Sequence, residues 1–278
     1  MICSILVALD DTPGAESARD LALALARATK ASVTAAVILD LPHAAAAMEP
    51  VPLGGAAFKE RRDAARVARV EKEAAAAIEA FSNAADGTRF ETLRLADAPE
   101  PALRAASAGF DLLVIGRDST LGLEENSDGL SPTIAALLHH GARPLLVVPP
   151  CVMLRTEGPV LLGYDGSIPC LRALQLYALL RPMGDATVTV VSVGTSAAAA
   201  QAMAEVAAGY LRRHGIPAEA FGSSGDHPAD VLLAQAAALH ARMLVIGAYE
   251  TSGLRALLLG SATRKLLIEA PCPVFVSH

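Results

Sequence analysis

Apolar and polar positions alternate along the chain between short strand-like runs and longer stretches of helical spacing, in an order that occurs twice. Ile2–Leu9 is an apolar run closed by Asp10 and Asp11, and Pro13-Gly14 turns the chain into Ala15–Thr29, which has helical spacing. Val33–Leu39, rich in β-branched residues, predicts a second strand. A looser stretch, Pro42–Gly55, precedes a charged, Ala-rich segment at about Ala57–Ala84 that predicts a long helix. Thr88–Leu95 alternates as a strand does, Pro99–Ala108 is helical, and Asp111–Gly116 (DLLVIG) is a short buried strand. Ser131–His139 forms a helix with Pro132 in its first turn, and Pro144–Val148 is a final strand closed by two prolines.

After the spacer Cys151–Gly158 the order restarts. Val160–Tyr164 leads into Asp165-Gly166-Ser167, followed by a helix over about Leu171–Leu180 and a strand at Thr187–Val193. Ala197–Arg213 is helical, Pro217–Phe221 a strand and Pro228–His240 a helix. Met243–Gly247 (MLVIG) repeats the earlier LLVIG, before a helix at Ser261–Glu269 and a strand at Pro273–Val276. A match of such long period outranks any single motif. Strands alternating with helices imply βαβ units, so the expectation is two α/β domains, 1–150 and 157–278. Each is a doubly wound, five-stranded parallel sheet flanked by helices, in preference to one continuous larger sheet. The last strands, Leu145–Val148 and Val274–Val276, are short and very apolar; packing the halves along them would protect both edges, giving an internal pseudo-dimer. A further homodimer stays open.

Composition narrows the chemistry. Of 278 residues, 53% are hydrophobic and 19% charged, which excludes general disorder. With 4% aromatics, no Trp and a formal net charge of −6, the chain offers neither a base-stacking platform nor the basic field that a nucleic-acid partner requires. The densest positive run, Lys59 to Arg69, is interleaved with Glu60 and Asp63 and reads as a solvated helix face, with a partner surface as the alternative. Cys3, Cys151, Cys170 and Cys272 form no CxxC pair and no zinc spacing with the histidines, so no metal site is expected. The start MICSILVALDD lacks the basic region and long apolar stretch of a signal peptide, and no apolar stretch has membrane length, so a soluble, cytoplasmic protein is expected.

In a doubly wound sheet, ligands bind beyond the carboxyl ends of the strands. In the second half those positions hold Asp165, Val193 and Gly247, and then Gly260-Ser261 at a helix start. Asp165 could accept a bond from a base or ribose, Val193 could cover a ring face, and Gly260 with Ser261 could meet an anion at the helix amino end. Alternatively, Gly247 and Gly260 only permit turns and Ser261 only caps its helix. Neither GxxxxGK[ST] nor GxGxxG is present.

These residues resemble the universal stress protein family in its tandem two-domain form, together with the VIG strands, the Gly-Ser helix start and the APCPVFV ending at Ala270–Val276. The resemblance implies strand order 3-2-1-4-5 in each domain, association through the last strand, and a division into ATP-binding and non-binding members. It assigns Asp165 and Val193 to the adenosine side and Gly247, Gly260 and Ser261 to the phosphates of ATP or a related adenine nucleotide; Mg²⁺ could accompany the nucleotide. The middle glycine of the family pattern is replaced by Glu250, an anion that could repel phosphates, turn outward or hold Mg²⁺. In the first half the aligned positions are Gly116, Ser119, Gly129 and Leu130, with Asp118, Glu124, Glu125 and Asp128 between them, so that half is expected not to bind ATP.

The first functional expectation is thus a stress-response regulatory protein whose second domain binds an adenine nucleotide and thereby changes a surface for an unknown protein partner. The alternative is a non-nucleotide interaction or chaperone-like module. No lysine lies in either glycine loop, GxSxG is absent, and Arg255 and the Asp226-His227 pair are loose candidates, so no catalytic residue is assigned; weak ATP hydrolysis stays open.

Overall fold

The computed structural model describes residues 1–41, 44, 55–121, 129–248 and 259–278. The first unit runs β1 (Ser4–Leu9), α1 (Pro13–Thr29), β2 (Ser32–Ile38), α2 (Ala56–Ala85), β3 (Phe90–Leu95), α3 (Pro99–Ser107), β4 (Leu112–Gly116), α4 (Pro132–His140) and β5 (Leu145–Val148). The second runs β6 (Val160–Gly163), α5 (Ile168–Leu180), β7 (Val188–Gly194), α6 (Ala197–Arg213), β8 (Ala218–Ser224), α7 (Pro228–Ala238), β9 (Met243–Gly247), α8 (Ser261–Glu269) and β10 (Val274–Ser277).

Each unit has the expected parallel order, β3-β2-β1-β4-β5 and β8-β7-β6-β9-β10. The two five-stranded sheets are not separated, however. β10 pairs antiparallel with β5, with Val274 opposite Val147, Phe275 opposite Leu146 and Val276 opposite Leu145, so the hydrogen bonding runs through all ten strands. These strands are fully buried, and pairing each with the other satisfies the edge groups that either would leave open alone.

Strand periodicity sorts the side chains onto two faces. Ile5, Val7, Val114, Leu146, Phe275 and Val245 share one core with α1, α2, α5 and α6. Leu6, Leu113, Val147, Val274, Val276 and Leu244 share the other with α3, α4, α7 and α8. Both cores continue across the β5–β10 seam. A sheet covered on both faces needs near-continuous apolar strands, which is why LLVIG and MLVIG are buried at every position.

Element ends differ from expectation where side-chain chemistry is weak. Thr88 is not in a strand: Asp86 (φ 45) and Gly87 (φ 76) turn the chain after α2, and the Thr88 N–H donates to the Ala85 carbonyl. β8 continues past Phe221 to Ser224 because β7 pairs with it as far as Gly194. On α2, Lys59 meets Asp63 at 2.5 Å and Arg69 meets Glu73 at 2.6 Å, so much of the positive run is balanced within its own helix.

Candidate functional site

The strand end β6 leads into a tight turn. The Ser167 N–H donates to Asp165 Oδ1 at 2.8 Å, Gly166 takes φ 78, and the Ser167 hydroxyl caps α5 by accepting the Cys170 N–H at 3.4 Å. The protein beneath Asp165 strips part of its solvent and pushes its carboxyl up, but hydrogen bonds from Ser167 and Cys170 together outweigh this and hold it below the ordinary carboxylate value. Asp165 is therefore an anion at neutral pH. Burial, followed by the Asp165 charge, pushes the Cys170 thiol up, so it stays protonated.

Asp165 stands on a cavity of about 330 Å³ at the carboxyl ends of β6, β7 and β9. All five residues expected from the sequence, Asp165, Val193, Gly247, Gly260 and Ser261, line it. Leu232, Ile246 and Leu266 add apolar wall. The volume lies at the small end of the range of about 300–1,000 Å³ usual for ligand pockets.

Two helices begin at this cavity. α8 has Gly260 as its N-cap, with φ −56 and ψ 143 and no side-chain cap. α7 starts at Pro228 after His227, which also gives no side-chain cap, and Pro228 and Ala229 line the cavity. The leading N–H groups of a helix lack intrahelical partners and carry its positive dipole end. Lys265 bridges the two helices by holding Asp230 at 2.5 Å. The cavity is thus polarised, with a carboxylate at one side and helix amides at the other. Asp165 is the only charged residue among its described lining residues. That arrangement can hold a molecule offering a donor at one end and an anion at the other, and the Cys170 thiol stays protonated beside it.

Gly247 has a reason of its own to be glycine. A Cβ there would lie 2.4 Å from the Cys170 nitrogen, so the residue lets α5 sit directly on the end of β9. The sequence pointed to the α7 start only through the Asp226-His227 pair; the structure brings the next two residues, Pro228 and Ala229, to the site. Asp226-His227 does not join the site among the described residues; His227 is exposed at the N-cap position. Glu250, Arg255, Glu124, Glu125 and Asp128 lie outside the described residues.

The first unit repeats the turn and closes it differently. Asp10 Oδ1 accepts the Thr12 N–H at 3.0 Å and its hydroxyl at 2.6 Å, while Oδ2 accepts the N–H groups of Thr120 at 2.8 Å and Leu121 at 3.2 Å. Leu121 is fully buried against the core that also holds Ile115, Leu130 and Ile134. The alignment of Gly129 and Leu130 with Gly260 and Ser261 is corrected by the helix starts. Ser131 is the N-cap of α4 with φ −57 and ψ 135, nearly the angles of Gly260, so Ser131 matches Gly260 and Pro132 matches Ser261. The first-unit loop is longer, which shifts the register. A hydroxyl residue is therefore present at this helix start, but Pro132 removes one of its amide donors.

Among the described residues, no helix is long and apolar enough to cross a membrane. A universal stress protein from Archaeoglobus fulgidus is similar in structure, with TM-score 0.63 and 18% identity, covering 99% of this chain and 97% of that one. A proposed universal stress protein from Pseudomonas aeruginosa matches with TM-score 0.58 and 18% identity, covering 99% of this chain and 93% of its own. A shorter Archaeoglobus fulgidus universal stress protein, in complex with dAMP, matches with TM-score 0.35 and 22% identity over 44% of this chain and 98% of that one. A search of the curated proteins returns no match. The family model described as "Universal stress protein family" matches residues 1–149 and again 158–278, so the chain belongs to the universal stress protein family and carries its unit twice.

Proposed function

We propose that this protein is a cytoplasmic stress-response regulator whose second unit, residues 157–278, binds ATP or a related adenine nucleotide, while the first, residues 1–150, does not. The observation that carries the reading is the convergence of Asp165, Val193, Gly247, Gly260 and Ser261 on one cavity beside two helix starts. Asp165 accepts from the ribose or base, Val193 covers the ring, and the first amides of α8 take the phosphates with the Ser261 hydroxyl. Mg²⁺ arrives on the phosphates, with Asp165 within the same cavity. Binding changes a partner-facing surface only to the extent that the nucleotide favours one conformation over another.

Isothermal titration of nucleotide-free protein with ATP, ADP and AMP tests this reading. One site per chain supports it, and silence at millimolar nucleotide rejects it.

The packing of Gly247 against Cys170 favours a second reading, because it explains the glycine without any phosphate. In that reading the protein is a non-nucleotide interaction or chaperone-like module. Nucleotide-independent partner capture, unaltered in a Ser261→Pro variant, supports it.

A further inference from the structure

A second cavity, of about 470 Å³, opens at the opposite end of the second unit's strands, where α1 of the first unit meets the connector and the second unit. Its apolar surface comes from Leu21 and Leu25 of α1, Val152 and Leu154 of the connector, and Met183 and Cys272 of the second unit. Burial pushes the Cys272 thiol up to about 12, so it contributes no charge to that surface.

The polar side is predominantly positive. Arg155, Arg181 and Arg242 all line the cavity, against a single acid, Asp185. Among the described residues none of the three guanidinium groups forms an ion pair. Arg181 donates to the His214 carbonyl, and Arg242 Nε donates to the Arg155 carbonyl at 3.2 Å. Arg242 and Arg181 also act electrostatically on Tyr177, whose buried hydroxyl has no hydrogen-bond partner among the described residues. Met1 and Met153, also lining the cavity, are 78% and 81% exposed. Their unbranched thioether chains can fold over an apolar guest. The related groove beside α5, lined by His140, Gly141, Arg172 and Leu176, has no connector wall and a single arginine.

We propose that this seam cavity binds a small amphipathic carboxylate, with its hydrocarbon body against Leu21, Leu25 and Leu154 and its head among Arg155, Arg181 and Arg242. Guanidinium groups match a carboxylate in shape and charge. The apolar floor selects for a tail that a simple inorganic anion lacks. The site lies at the other end of the second unit from Asp165 and is independent of nucleotide binding.

Decanoate is the probe, titrated calorimetrically into the full chain. Saturable binding at one site per chain is expected, with methyl decanoate, which lacks the charge, at least about tenfold weaker. Arg155→Glu, at an exposed position, weakens binding about tenfold or more, and Ala28→Trp, which fills the cavity from the exposed side of α1, abolishes it. Decanoate also slows peroxide oxidation of Met153 in the unaltered protein, a readout that needs no variant to fold. The proposal is overturned by no binding at millimolar decanoate, by equal affinity for the methyl ester, by folded Ala28→Trp binding as the parent does, or by unchanged Met153 oxidation at saturation.

Discussion

Gly247 ends β9 directly against Cys170: a Cβ added to it would stand 2.4 Å from the Cys170 nitrogen and 2.4 Å from the Pro169 carbonyl carbon. The first unit repeats the relationship: a Cβ added to Gly116 would stand 2.5 Å from the Ala15 nitrogen. Both contacts are backbone to backbone, so no rotamer change can relieve them. Gly247→Ala and Gly116→Ala are each expected to cost about 1 to 3 kcal/mol or more in urea unfolding, with or without nucleotide. If Gly247→Ala keeps its stability and loses only ligand affinity, the glycine serves the ligand and not the packing.

Ser261 heads α8 where Pro132 heads α4. Proline fits the first turn of a helix but has no N–H to give. Ser261→Pro should therefore leave the melting temperature near that of the parent. It should weaken a phosphate-bearing nucleotide about tenfold or more, the effect of losing one charge-assisted hydrogen bond and the adjacent hydroxyl. Calorimetry beside thermal unfolding separates the two effects.

Leu121 is buried in the first unit's core, and its N–H donates to Asp10, the counterpart of Asp165. Leu121→Ala is expected to lower stability by about 2 to 5 kcal/mol in denaturant titration. It should not create nucleotide binding, because Pro132 still lacks its donor and Asp10 still holds the Thr120 amide.

Cys272 gives the stability curve an alkaline slope. Its thiol rises from 9.0 in the unfolded chain to about 12 in the folded protein, because burial disfavours the thiolate. The stability it contributes is fully present below 9.0 and is lost as pH climbs toward about 12, since only the unfolded chain gains from ionisation in that window. Urea unfolding of the parent should fall relative to Cys272→Ala across that interval and run parallel below it.

The succession of strands along the chain was legible because a sheet covered on both faces demands apolar runs, and LLVIG and MLVIG announce the same strand twice; their arrangement across the sheet came from the family resemblance. Asp165, Val193 and Gly260 could be placed because strand ends and helix starts follow from that order. Aligning Gly129 with Gly260 failed for a physical reason: a glycine's identity does not fix a loop's register, whereas the matching N-cap angles of Ser131 and Gly260 do. At the α7 start the sequence pointed to His227 and not to Pro228, because the apolar pattern of Pro228–Ala238 says where the helix packs but not toward what its first amides point. The continuous sheet could be anticipated only as an edge needing cover, since pairing Phe275 with Leu146 joins residues far apart in sequence and leaves no local periodicity.

The antiparallel β5–β10 pair has a kinetic meaning. Two separate chains meeting through such short strands would come apart on dilution, and their contact would depend on how much protein the cell makes. Here the connector keeps the second partner at a fixed effective concentration, so the joined form persists at any expression level. The tether also frees the copies from matching each other: in one, the Thr120 and Leu121 amides hold Asp10, while in the other Asp165 lines an open cavity.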